Sequence, residues 1–472
     1  MSDTQIDPAT RVTGDAGGLS FPAGFVWGAA TAAYQIEGAV TADGRGPSIW
    51  DTFSHTPGKV HNGDTGDVAC DHYHRYAEDV ELMAELGLQA YRFSIAWPRI
   101  QPTGSGPANR AGLDFYDRLV DALVARGIEP MITLYHWDLP QPLQDAGGWT
   151  NRDTAYRFAE YAGLVAERLA DRVGTWITLN EPWCAAFLGY ASGTHAPGIT
   201  NPPDAFAATH HLLLGHGEAV PVLRGHGVRQ VGITLNPSAV RPLDATAPAD
   251  VAAAARVDGL QNRLYLDPLY GRGYPADIRA LIDAQFGGAP WLRPGDEQII
   301  AAPLDLLGIN YYNPTIVTSA PGQPSSSVHP GTEDIRFMPA TGPLTAMGWS
   351  IEPASLTSLL ERLSRDYPGL PFWITENGCA YEDEPEADGE RVADPARIAY
   401  LDGHLRAVHE AIARGVDVRG YLVWSLFDNF EWAEGYRPRF GIFYVDYETQ
   451  VRLRKDSARW YHKVIAEHGL PD

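Results

Sequence analysis

The sequence predicts an α/β fold: a single-domain (β/α)8 TIM barrel with long loops after its strands. Three observations carry this expectation. Eight short apolar runs read as buried strands, amphipathic helical patterns lie between them, and no break in composition divides the 472 residues. Strands buried on both faces belong to parallel sheets covered by helices, and α/β barrels of this length form one unit.

The runs, in order, are FVWGAA (25–30), YRFSIAW (91–97), PMITLYHW (130–137), TWITLNEP (175–182), VGITLN (231–236), LDLLGINYY (304–312), FWITENG (372–378) and GYLVWSLFDN (420–429). After the first, Tyr73, Tyr76, Val80, Met83 and Gly87 recur at helical spacing, with Glu78, Asp79, Glu81 and Glu85 on other faces. Leu113, Tyr116, Leu119, Val120, Leu123 and Val124 repeat the pattern, and Gly127 fits a helix end. Further helices are predicted through Phe158–Leu169, Leu356–Leu363 and Ile398–Ile412. The Pro-, Gly- and Ser-rich stretch 317–346 and the acidic stretch 381–395 read as long loops, either on the active face or as surface variation. Residues 1–20 read as a flexible leader, and 21–472 as the barrel domain.

Composition excludes several function classes. With 59 acidic against 36 basic residues, the net charge is −23, which offers nothing to nucleic acid or an anionic membrane. No apolar stretch is long enough to cross a bilayer. The N-terminus lacks the basic start and apolar centre of a secretory signal. Three widely spaced cysteines, Cys70, Cys184 and Cys379, fit a reducing compartment and read as small buried fillers. The expected location is cytoplasmic, and the oligomeric state stays open. Thirteen tryptophans suit either a core or a sugar cleft.

The C-terminal ends of the eight runs carry the functional signal. They bring Arg92, His136, Asn180, Glu181, Asn236, Asn310, Tyr312, Glu376, Trp424, Asn429 and Glu431 toward one end of the barrel. A single buried carboxylate there, such as Glu376, reads as an ionic anchor. A full ring of polar groups is hard to attribute to packing, because each needs a partner. Glu181 and Glu376 then read as paired carboxylates, the machinery that breaks glycosidic bonds. Pro182 restricts Glu181 to extended or turn backbone.

TLNEP, ITENG, QIEG (35–38) and WSLFDNFEW (424–432) resemble the signatures of family 1 glycoside hydrolases, the β-glucosidase family, from about Phe21 through KDSARWY (455–461). The resemblance implies a retaining β-glycosidase, most simply a β-glucosidase, with Glu181 as general acid/base and Glu376 as nucleophile. It implies that Arg92 and Tyr312 keep Glu376 ionised, supported by Asn310. Gln35, His136, Asn180, Glu431 and Trp432 would bind hydroxyls of the terminal sugar, with Trp424 beneath it. Trp349 would flank the leaving group, and Phe440 would help close the pocket. Leu179 stands where the family usually has an aromatic, at a position expected in the barrel wall. Glu431 and the lack of lysine in FEWAEGY disfavour a phosphorylated sugar.

No cofactor and no metal site is expected. His72, His74, His210, His211 and His216 match no ligand pattern and fall in helical stretches. His136 alone would read as a core histidine, and its polar neighbours favour substrate binding. A retaining pair is expected about 5–5.5 Å apart, against ~6.5–9.5 Å for inverters. The partner is a small β-glycoside. The rivals are a transglycosylase on the same site, a preference for β-galactosides or β-fucosides, and a catalytically silent sugar-binding protein.

Overall fold

The computed structural model describes residues 18–387 and 389–471. Eight strands close into one parallel barrel in chain order: β1 (Val26–Ala30), β2 (Ala90–Ser94), β3 (Glu129–Tyr135), β4 (Thr175–Asn180), β5 (Gln230–Leu235), β6 (Leu306–Asn310), β7 (Phe372–Asn377) and β8 (Val418–Trp424). Each coincides with one of the eight apolar runs. Leu179 is fully buried in β4, as expected for the barrel wall.

Helices α1 (His72–Leu86), α2 (Arg110–Ala125), α3 (Asp153–Leu169), α4 (Pro202–Gly225), α5 (Pro353–Asp366), α6 (Pro395–Ala413) and α7 (Asp456–Glu467) cover the outside. Their buried residues repeat at three and four, as in α2, where Phe115, Tyr116, Leu119, Val120 and Leu123 face the barrel. The five predicted helices all form. Among the described residues, no helix is long and apolar enough to cross a membrane.

Three loop expectations change. The stretch 317–346 is not structureless, because Thr315–Ser319 and Ile335–Phe337 pair with each other, and Val240–Pro242 adds a third strand. The stretch 381–395 carries two buried aspartates, Asp383 and Asp394, which bracket Arg397 at 2.6 and 2.5 Å. Buried Lys455 then joins Asp383 to Asp428 at 2.6 and 2.7 Å, fastening the loop after β8 to the start of α7. A charged group so enclosed must be paired, and here each one is. Finally, Leu19 and Ser20, placed by the sequence in the leader, pair antiparallel with Leu470 and Gly469; the leader up to residue 17 lies outside the described residues.

Two register irregularities sit where the barrel delivers its glutamates, between Ile177 and Asn180 and between Ile374 and Glu376. Such irregularities re-aim side chains at strand ends. Gly378, just past β7, must lack a side chain: a Cβ there would lie 1.6 Å from the Trp424 carbonyl oxygen. That close passage of β8 explains the glycine of the ITENG motif in packing terms.

Candidate active site

The strand ends open into a cavity of about 610 Å³, lined among others by His136, Trp137, Glu181, Asn310, Tyr312, Trp349, Glu376, Trp424, Glu431, Trp432 and Phe440. Ten of the thirteen residues predicted for the site therefore face one space. The remaining three, Gln35, Arg92 and Asn180, form the layer that holds the lining in place.

Glu376 is gripped on both oxygens. Arg92 Nη1 donates to Oε1 at 2.7 Å and Tyr312 Oη to Oε2 at 2.8 Å. Arg92 is itself fully buried, and its other donors go to Thr133 Oγ1, the Thr375 carbonyl and Asn180 Oδ1. Burial pushes the Glu376 carboxyl up, while Arg92, Tyr312 and Asn310 pull it down. The sequence expectation was a lowered carboxyl. The net direction is upward, because desolvation outweighs the three favourable contacts.

Glu181 sits in backbone that few residues adopt, at φ = +44°, on the turn side of the expectation set by Pro182. Its amide donates to the Thr234 carbonyl at 2.9 Å, which holds the turn against β5. Asn310 Nδ2 donates to its Oε1 at 2.6 Å, and Cys184 Sγ lies 3.1 Å from Oε2. Burial first, and then the Glu376 charge, push this carboxyl up to about 7. Glu431 is pushed up to about 8 by burial and by both neighbouring glutamates. Three carboxyls thus share a cavity backed, among the described residues, by the buried Arg92 guanidinium. One negative charge is compensated there, and Arg92 assigns it to Glu376.

The sugar-binding expectations are refined by the hydrogen bonds. Asn180 Oδ1 is occupied by Arg92 and Asn310, and its Nδ2 donates to His136 Nε2 at 3.0 Å. His136 must then carry its proton on Nδ1, which has no partner among the described residues. Burial and Arg92 hold its pKa well below the ordinary value, so the ring is neutral. Gln35 Nε2 donates to Asn429 Oδ1, the Phe430 carbonyl and Glu431 Oε2, leaving Oε1 without a partner among the described residues. His136 thus has a donor to spare, and Gln35 an acceptor.

Aromatic walls complete the space. Trp424 packs against His136 at 5.9 Å between centroids, and Tyr312 against Trp349 at 5.3 Å. Trp27, Trp97, Trp149 and Trp176 lie wholly in the core, whereas Trp137, Trp183, Trp349, Trp424 and Trp432 line the cavity. Tryptophan thus serves both in the core and in the wall of the cavity. Sequence reasoning missed Gln261, His195 and His329, which also line the cavity but come from long excursions without a motif. It also read Cys184 as filler, although its sulfur touches Glu181.

Comparison with known proteins gives a consistent picture. The model of the family described as "Glycosyl hydrolase family 1" matches residues 18–470. The chain is 56% identical to a thermostable β-glucosidase B of Thermobispora bispora, over 96% of this chain and 92% of the relative. It is 50% identical to a bifunctional β-D-glucosidase/β-D-fucosidase of Bifidobacterium breve, over 96% and 99%. Among solved structures, a β-glucosidase from Thermotoga maritima in complex with deoxynojirimycin is 46% identical, with a TM-score of 0.90 over 96% of this chain and 100% of that one.

Proposed function

The chain belongs to glycosyl hydrolase family 1, and from that premise we propose that it is a retaining β-glucosidase acting on terminal β-D-glucosyl residues of small glycosides. The observation that carries this reading is the unequal treatment of two carboxyls in one cavity. Glu376 has a buried guanidinium and a phenol on it, and Glu181 has neither.

In the first half-reaction Glu376 attacks C1 of the sugar, while Glu181 protonates the departing oxygen. In the second, Glu181 takes a proton from water, which displaces Glu376 and returns the anomeric configuration to β. Asn310 supports a close pair, because its amide hydrogen-bonds Glu181 and also lowers Glu376. At ~5 Å and an effective dielectric of about 20, like charges repel by ~3 kcal/mol, about two pKa units. That is the size of effect needed to keep Glu181 protonated near neutrality. Once the aglycone has left with its proton, Glu181 is ionised and acts as the base of the second half-reaction, while Glu376 is the group displaced.

Gln35, His136, Asn180, Glu431 and Trp432 would hold the sugar hydroxyls over Trp424, with Trp349 and Phe440 at the side of the leaving group. The names of the relatives support glucose, and the Bifidobacterium relative supports β-D-fucose as a second sugar. Three free buried thiols support a cytoplasmic location, and with it a role in degrading small β-glucosides cut from larger polysaccharides. A panel of aryl β-glycosides tests the assignment. The glucoside is expected to have the highest kcat/KM, the fucoside to follow, and a fucoside or galactoside far above glucoside would overturn it.

Tyr312→Phe offers a separate test through pH. The phenol stabilises the Glu376 anion, so its loss raises that carboxyl's pKa. Attack requires the anion, and the acidic limb of kcat/KM is therefore expected to move up by about one pH unit. An unmoved limb would mean that Tyr312 does not act on the nucleophile's charge.

A further inference from the structure

Two polar contacts converge on the sulfur of Cys184. Glu181 Oε2 lies 3.1 Å from it, and Asn236 Nδ2 donates to it at 3.4 Å. With sulfur accepting from Asn236, the S–H is free to turn toward the carboxyl oxygen. The backbone arranges this locally. Glu181 occupies its turn, a helical segment starts just beyond Pro182, and Cys184 falls three residues after Glu181 on the same side.

Asn236 stands at the end of β5 and is not placed by packing alone. Its carbonyl accepts from Gln261 Nε2 at 3.1 Å, and Gln261 Oε1 meets His329 Nε2 at 3.0 Å. The thiol is thus oriented by a line of hydrogen bonds drawn from outside its own helix.

We propose that Cys184 is a positioning residue for the reaction: its S–H holds the Oε2 edge of Glu181 while Asn310 holds Oε1, fixing the plane of the carboxyl and favouring its ionised form. The inference rests on the acid/base reading of Glu181. The other charged or titratable groups that face Glu181 are Glu376 from β7, Arg92 from β2, Tyr312 after β6 and Glu431 after β8. Among the described residues, Cys184 is the side chain on Oε2. Burial and the Glu181 charge hold the thiol well above its ordinary pKa, so its proton is present throughout the working range.

Cys184→Ala and Cys184→Ser separate this role from space filling. The acid must be protonated to act, and removing a donor to its anion raises its pKa. In Cys184→Ala the alkaline limb of kcat/KM is expected to move up by about 0.5 pH unit. In Cys184→Ser, where a hydroxyl replaces the donor, it is expected to return to the wild-type position or below. Should the alanine variant not fold, Cys184→Val removes the same donor at similar volume. An unmoved limb in Cys184→Ala, or equal shifts with Ala and Ser, would overturn the inference. Glu181→Gln, measured alongside, keeps the two readings apart. If it retains the alkaline limb, the acid/base reading itself fails. If it loses the limb while Cys184→Ala leaves it in place, only the role of Cys184 fails.

Discussion

Glu376→Gln is expected to lose activity toward every β-glucoside by about 10⁴-fold or more, the scale on which removing a covalent nucleophile acts. The amide keeps the shape of the carboxyl, so the fold and sugar binding should survive. It cannot attack C1, and it leaves Arg92 buried without its counterion. The loss should be the same for good and poor leaving groups, because attack fails before departure matters. Steady-state kinetics with aryl glucosides of graded acidity checks this. Residual activity within a hundredfold of wild type would remove Glu376 from the nucleophile's role.

Glu181→Gln is expected to behave differently, and the contrast is the stronger evidence. The proton donor matters in proportion to the basicity of the departing oxygen. Glucosides of poor leaving groups should lose about 10³-fold in kcat/KM, within the range of a missing general acid. Those of activated phenols should lose little in kcat/KM, with kcat falling because water is no longer activated in the second half-reaction. The alkaline limb near pH 7, set by Glu181 losing its proton, should vanish. Equal losses across all leaving groups would contradict the acid assignment.

Much of this was legible in the chain. The eight barrel strands appear as eight apolar runs because a strand covered on both faces has no solvent side to mark with polar residues. Glu181 and Glu376 stand out for the complementary reason: each interrupts such a run at its end. What the chain hid depends on contacts between distant elements. Lys455 reveals nothing locally, yet it closes a buried bridge between Asp383 and Asp428, 72 and 27 residues away. Gln261 and His329 meet in the cavity from two excursions that share no motif. The upward direction of Glu376 was hidden because burial is a property of the whole barrel, whereas Arg92 and Tyr312 could be named from their positions. Cys184 looked like filler because a thiol's hydrogen bond has no sequence signature.

The central claim is a double displacement in which Glu376 carries the sugar and Glu181 serves both halves. The configuration of the sugar as it is first released tests this most directly. Proton NMR of an aryl β-glucoside reaction, recorded before mutarotation, follows the anomeric signals as they appear. Two inversions at C1 predict β-glucose first, with the α anomer growing only later as the free sugar equilibrates. Initial release of α-glucose would mean a single displacement by water, and would contradict the account.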